Sequence, residues 1–299
     1  MDVFLSSPRG FCAGVVRAVD IVALALQRYG APVYVKHQIV HNPYVVKSLE
    51  DQGAVTVENV SDIPEGSNVI FSAHGSAPED FEEANERNLN VIDAICPLVT
   101  RVHNEAKKYT RNGNKTILIG HRGHQEVVGT MGQAGMELLD EREGISLPDW
   151  SPDEQVTVLT QTTLSVDDTA TAIAAITERF PDALIRNDIC YATTNRQTAL
   201  KRAAVQVELV LVIGAENSSN CQRLREVAQA SGVPAYLVND PDEIDRSWLD
   251  GVERVAITSG ASTPEDLVQA VISYLRPDNV IPVGEREEDI TFVLPKQLL

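Results

Sequence analysis

Three of the four cysteines, Cys12, Cys96 and Cys190, each stand where a β-rich run gives way to a helical pattern. They are 84 and 94 residues apart, with 109 residues after the third. Thiolates bind soft metals, either zinc or iron–sulfur clusters. A structural zinc site would show paired C-x₂₋₄-C ligands, and the sequence has none. Three distant cysteines suit a [4Fe-4S] cluster with three protein-held irons and a fourth open to a ligand. The same spacing is also that of three unrelated buried thiols. Cys221 shares a helix face with Leu224 and Ala228 at i, i+3, i+7 and reads as core. Fully ligated clusters use four cysteines, so packing of Cys221 would leave one iron uncapped.

A second set of residues suits an anion. Asn217-Ser218-Ser219-Asn220, Ser262-Thr263 and His74-Gly75-Ser76 put hydroxyls and amides where helices begin. The N–H groups of a helix start bind anions, although each segment alone is also an ordinary N-cap. Together with the histidines they point to a phosphate or diphosphate. His41, His74 and His124 stand at strand ends beside Asn42-Pro43, Gly75 and Gly123 and read as functional. His37 inside a strand and His103 inside a helix read as structural. His121 either flanks the site with His124 or caps its strand. Glu126, two residues past His124, is placed to donate a proton or simply opens a solvated helix. Neither G-x-x-x-x-G-K-[ST] nor a strand-linked G-x-G-x-x-G occurs, so the nucleotide fingerprints are missing. Electrons for a redox reaction would come from a partner protein.

The elements that must hold these residues follow from periodicity. Strands are expected at Val33–Val40, Asn68–Ser72, Val91–Ile95, Lys115–Gly120, Val156–Thr160, Ala183–Ile189, Leu209–Gly214, Ala235–Val238 and Val255–Thr258. Helices are expected near Gly14–Tyr29, Glu79–Asn88, Leu98–Arg111, Val166–Phe180, Thr193–Val207, Ser219–Ala230 and Pro264–Leu275. The apolar run Val3-Phe4-Leu5 leads through Pro8-Arg9-Gly10-Phe11-Cys12-Ala13-Gly14 into the first helix. Ser76 with Glu79 has near capping-box spacing, and Thr263-Pro264 reads as N-cap then N1. Strand–helix alternation implies mostly parallel sheets with helices on their faces. Such sheets bind ligands at the carboxyl ends of their strands, where nearly every His, Cys and clustered Ser or Thr falls. The expected class is α/β. It comprises three similar units around one centre: 1–96, with Cys12 and, at its end, Cys96; 97–190, ending at Cys190; and 191–299.

Composition bounds the rest. The 299 residues suffice for two or three domains. A net charge of -18 argues against nonspecific nucleic-acid binding. Met1-Asp2-Val3 is not a basic leader, and Arg17 and Asp20 break the apolar stretch from Val15. Neither a signal peptide nor a membrane span is expected. A cytoplasmic protein is, in which cysteines are thiols or ligands rather than disulfides.

The segments "PRGFCAGVVRAV", "IVHNPYVV", "FSAHGSAP", "DAICPLVTRVH", "GHRGHQEVVGTMGQ", "LTQTTLSVDDT", "DICYATTNRQ", "NSSNCQRL" and "TSGASTPEDLV" resemble the 4-hydroxy-3-methylbut-2-enyl diphosphate reductase family. The likeness runs in order from Phe4 to about Val283. That family catalyses the last step of the non-mevalonate isoprenoid pathway. The resemblance implies a trefoil-like, pseudo-threefold arrangement of three α/β units around an oxygen-sensitive [4Fe-4S] cluster. Cys12, Cys96 and Cys190 would be the ligands. His41, His74, Ser218, Ser219, Asn220 and Ser262 would hold the diphosphate, and His124, Glu126 and Thr162 would face the substrate hydroxyl. It also implies a ferredoxin, flavodoxin or similar one-electron donor. The products would be isopentenyl diphosphate and dimethylallyl diphosphate. Two features depart from the family pattern: Cys221 directly after Ser-Ser-Asn, and the acidic segment Glu285–Asp289, which reads as a charged surface strand or turn.

Two other readings compete. A zinc hydrolase would use His121-x-x-His124 with a carboxylate and leave the three cysteines unemployed. A non-catalytic iron–sulfur redox or phosphate-binding protein would keep the cluster without needing Glu126.

Overall fold

Parallel strand pairing runs through every sheet of the computed structural model, which describes residues 1–284 and 288–299 and, at Asp168, only the backbone. In chain order the first elements are β1 (Asp2–Ser6), α1 (Ala13–Tyr29), β2 (Val33–Lys36), α2 (Pro43–Glu50), β3 (Ala54–Val57), β4 (Asn68–Phe71), α3 (Pro78–Glu86) and β5 (Asn90–Asp93). There follow α4 (Pro97–Arg111), β6 (Lys115–Ile119), α5 (Gln125–Met131), β7 (Glu137–Leu139), β8 (Val156–Thr160), α6 (Val166–Arg179) and β9 (Leu184–Ile185). The last are α7 (Tyr191–Ala204), β10 (Leu209–Ile213), α8 (Ser219–Ala230), β11 (Ala235–Val238), β12 (Arg254–Ser259), α9 (Glu265–Leu275) and β13 (Asn279–Val283). The α/β class with three parallel sheets is as expected.

The chain forms two compact units. One comprises Met1–Val16, His41–Val45 and Tyr191–Thr291. Its single sheet has the order β11-β10-β12-β1-β13. Alternate residues of the strands face opposite ways, so the sheet carries a core on each side. Val3, Leu5, Leu211, Ile213 and Ile257 pack with Val268 and Val271 of α9. Val210, Val212 and Ala256 pack with Leu200 of α7 and Leu224 and Ala228 of α8. Burial on both faces explains why Leu209–Ile213 reads as an unbroken apolar run.

The other unit comprises Arg17–Val40, Val46–Cys190 and Phe292–Leu299. It holds two four-stranded sheets, β3-β2-β4-β5 and β7-β6-β8-β9. Val69 and Phe71 pack with Ala84 of α3 on the first. On the second, Ile117, Ile119, Val156 and Val158 pack with Ala172 and Ile176 of α6. Leu118 and Leu159 pack with Val102 and Ala106 of α4 and Val127 of α5 on its other face.

Several expectations change in detail. A division at residue 96 assigns the opening strand to the first unit, but β1 hydrogen-bonds between β12 and β13. Val3 and Leu5 complete an apolar face begun by residues 250 positions away, which no local pattern reveals. β2 ends at Lys36 because His37 adopts φ 59°, a left-handed conformation incompatible with a strand. His37 therefore lies just beyond the strand and pairs with Glu58 through Nδ1. The run expected at Ala183–Ile189 pairs over only Leu184–Ile185. Helix α3 starts after Ala77 rather than Ser76, with no side-chain cap. The N-cap of α9 is Pro264, since the Thr263 hydroxyl donates instead to the Ile213 carbonyl.

Candidate active site

In the two-sheet unit, a small set of side chains gathers at the carboxyl ends of the strands. Cys96 follows β5 as the N-cap of α4, and its N–H donates to the Ala73 carbonyl at 3.0 Å, beside His74. His124 is the N-cap of α5, its Nδ1 accepting from the Glu126 N–H. The His74 and His124 rings meet edge to face with centroids 6.0 Å apart. Gly129 lets α5 approach the turn that carries His74 closely, since a Cβ there would make a tight 3.0 Å contact with the Gly75 carbonyl oxygen.

Glu126 is 3% exposed. Its carboxylate accepts from the Thr162 N–H at 2.6 Å and from the Thr162 hydroxyl at 2.9 Å. Burial raises its pKa from the ordinary 4.5 to about 7, against the lowering effect of those two hydrogen bonds. The Thr162 carbonyl in turn accepts from the Cys190 N–H at 2.9 Å. One residue thereby joins a carboxyl that titrates near neutrality to a candidate ligand cysteine. Two residues before Cys190, Asp188 is anchored to the end of β8 by exchange with Thr160. Burial and the nearby Glu105 push the Asp188 carboxyl up to about 6.

In the single-sheet unit, the anion-suited residues are tied to Cys12. Ser218 caps α8, its hydroxyl accepting from the Cys221 N–H. Asn220 accepts from the Ala261 N–H through Oδ1 at 3.0 Å, and the Ala261 carbonyl accepts from the Cys12 N–H at 3.2 Å. The Ser262 hydroxyl donates to the His41 carbonyl at 2.9 Å. His41 and Asn42 precede α2, with Asn42 accepting from the Val45 N–H. Ser219, Asn220, Ser218 and Ser262 are all largely buried. Cys12, His41 and this group form one connected loop cluster.

The remaining candidates sort as follows. Cys221 is fully buried among Leu224, Ala228, Val210 and Val212. Burial pushes its thiol up, and a side chain at Gly214 or Gly260 would collide with its sulfur. The packing expectation for Cys221 matches. Cys221→Ala should lower stability by about 1–2 kcal/mol in a urea titration and leave iron content unchanged. His103 is buried in α4 with its pKa depressed to about 4 by desolvation, which keeps it neutral. The zinc arrangement of His121-x-x-His124 does not form. Among the described residues, the His/carboxylate group within reach of one ion is His121, Asp140 and Glu141. His124 is engaged elsewhere, and Arg142 and the Arg122 N–H already bind Asp140.

The family model described as LytB protein matches residues 3–276. The chain belongs to the LytB protein family. Among its relatives, the 4-hydroxy-3-methylbut-2-enyl diphosphate reductase of Actinobacillus pleuropneumoniae serotype 3 (strain JL03) is 50% identical over 308 residues, which span 100% of this chain and 98% of the relative. The corresponding reductase 1 of Rhodopseudomonas palustris (strain ATCC BAA-98 / CGA009) is 52% identical and spans 99% of each. The solved structure of the E-1-hydroxy-2-methyl-but-2-enyl-4-diphosphate reductase from Plasmodium falciparum is similar with a TM-score of 0.96. It is 37% identical, covering 99% of this chain and 96% of that one. A further structure, of an (E)-4-hydroxy-3-methyl-but-2-enyl diphosphate reductase, has a TM-score of 0.66 at 32% identity, over 92% and 99% of the two chains.

This LytB family member also uses residues that local sequence patterns do not single out. The Tyr191 hydroxyl accepts from the Ala13 N–H at 3.3 Å, and the Thr193 hydroxyl accepts from Asn220. Arg196 is wholly buried and donates to the Gly10 carbonyl. The signal that could have found them is polar residues at 191, 193 and 196 in a helix whose sheet-facing side must be buried. Of the acidic segment, residues 285–287 lie outside the described residues, and Glu288 is an ion-pair partner of Arg196.

Proposed function

We propose that the chain reduces (E)-4-hydroxy-3-methylbut-2-enyl diphosphate to isopentenyl diphosphate and dimethylallyl diphosphate, with Cys12, Cys96 and Cys190 holding one [4Fe-4S] cluster. The observation that carries this reading is the buried Glu126–Thr162 pair, a proton donor poised near neutral pH and linked to Cys190. Family membership supplies the reaction. The cysteines suit the cluster in their own chemistry. Each immediately precedes the first residue of a long helix, α1, α4 or α7. The positive end of a helix dipole favours negative charge at that place, and a thiolate-bound cluster is anionic. All three are partly exposed, whereas Cys221 is sealed in the core.

Removing an allylic hydroxyl takes two electrons and two protons, breaks a C–O bond, forms a C–H bond and releases water. When bound, the cluster supplies the electrons one at a time and a Lewis-acidic iron for the hydroxyl oxygen. Glu126 gives the departing oxygen its proton, directly or through the Thr162 hydroxyl. Its burial makes that possible, since an ordinary carboxyl would be ionised at pH 7. His124 orients the hydroxyl end. Ser218, Ser219, Asn220 and Ser262, with His41 and His74, bind the diphosphate through hydroxyls, amides and helix N-termini. A ferredoxin, flavodoxin or similar protein delivers the electrons. The cytoplasm provides the reducing surroundings that thiolate ligands need.

Mössbauer spectroscopy of anaerobically purified protein, with and without the allylic diphosphate, tests the reading. One iron site whose signal shifts with substrate is the expected result. A symmetric cluster indifferent to substrate would replace catalysis with electron transfer or sensing.

A further inference from the structure

We infer that Arg196 and Glu288 form a clamp that positions the Gly10–Ala13 loop, and with it Cys12, for cluster binding. The inference rests on the assignment of Cys12 as a ligand. Among the described residues, Arg196 is the largest wholly buried side chain. A guanidinium in that setting is costly unless its donors are matched. One arm, Nη2, donates to the Gly10 carbonyl at 2.7 Å. The other, Nη1, donates to both oxygens of Glu288 at 3.0 and 3.1 Å and to the Ala192 carbonyl at 2.9 Å. Asn195, one residue earlier on α7, donates to the same carboxylate at 3.0 Å. Glu288 is itself only 11% exposed, and among the described residues it is the carboxylate paired with Arg196.

The planar fork of an arginine fixes the direction of each bond it makes. Gly10 is thereby held in a left-handed conformation, φ 68°, with its N–H on the Ser259 hydroxyl at 2.8 Å. Two residues on, the Cys12 N–H is on the Ala261 carbonyl and the Ala13 N–H on the Tyr191 hydroxyl. Of these anchors, the Arg196 bond alone depends on a charge delivered by the C-terminal segment. Arg196 and Glu288 touch no reacting group in this scheme; they are positioning residues acting through Gly10.

The test uses the full chain in two forms. In the cluster-free protein, amide hydrogen exchange at residues 9–13 should quicken at least about tenfold in Glu288→Ala. Exchange in β10 and β12 should stay at the native rate. Glu288→Gln, which keeps the shape of the acceptor and loses the charge, should fall between. In the reconstituted protein, the EPR signature of the reduced cluster should shift in Glu288→Ala and return towards native in Glu288→Gln. Unchanged exchange at 9–13 in Glu288→Ala and in Arg196→Lys would overturn the clamp. Faster exchange spread evenly through the sheet would also overturn it, leaving the pair a general fold contact. Cys12→Ser separates this from the ligand assignment. Native iron content in that variant refutes Cys12 as a ligand, whatever the exchange at 9–13 shows.

Discussion

Glu126→Gln is expected to lower turnover by about 10²–10⁴-fold while the KM for the allylic diphosphate and the iron content stay near native. Glutamine preserves the acceptor for the Thr162 N–H and the volume of the buried site, but it cannot deliver a proton. Steady-state kinetics with a chemical reductant would show this, since that assay bypasses the donor protein. Unchanged turnover would refute the proton-donor role and favour a redox or phosphate-binding protein that keeps its cluster without catalysis. The same residue sets a pH dependence. Glu126 must be protonated to act as an acid, so turnover should fall as pH rises through about 7. In Glu126→Gln that inflection should disappear from the residual rate. Stability follows the same sign. The folded chain holds this proton up to about 7, whereas the unfolded chain releases it near 4.5. The stabilisation is complete below 4.5 and is lost as pH rises through 7, by about 3 kcal/mol in all. Urea unfolding of the cluster-free protein at pH 5 and pH 8, against the same pair for Glu126→Gln, would measure it.

Cys190→Ala should abolish turnover and most of the bound iron, with the fold intact. The Cys190 N–H, not its sulfur, holds the residue to the Thr162 carbonyl. Alanine keeps that bond, and with it the Glu126–Thr162 contact. Loss of the thiolate therefore removes a ligand without disturbing the proton donor. Iron and sulfide analysis after anaerobic reconstitution, with circular dichroism of the same samples, separates the two effects. The contrast with Cys221→Ala is the sharper check, because that cysteine is equally available in the sequence. Wild-type iron in Cys190→Ala, or iron loss in Cys221→Ala, would reverse the assignment. The physical difference between them is position. Cys190 stands partly exposed ahead of α7, whereas Cys221 sits near the start of α8 against Val210 and Val212.

Local physics was enough to read much of this protein from its sequence. The strand–helix alternation is a periodicity, and periodicity needs no partner to be visible. Val156–Thr160 and Ser219–Ala230 keep their expected bounds. The placement of Cys12, Cys96 and Cys190 at helix starts follows from the same alternation. So does the core role of Cys221, fixed by its spacing from Leu224 and Ala228. Helix α5, which His124 caps, is not among the expected helices. What a residue meets across the chain was not legible. Ala54–Val57, Glu137–Leu139 and Asn279–Val283 lie at sheet edges with mostly exposed or half-buried residues, so burial imposes little pattern on them and they exist through their neighbours. β1 joins β12 and β13 by hydrogen bonds spanning more than 250 residues. The proton affinity of Glu126 belongs to its burial, and a carboxyl in an exposed helix start would have the same sequence. Arg196 and Glu288 are charged residues that composition assigns to the surface, yet they share a largely buried ion pair. Side-chain type and local spacing determined which groups could do the chemistry; desolvation and long-range hydrogen bonding decided which are tuned and held to do it.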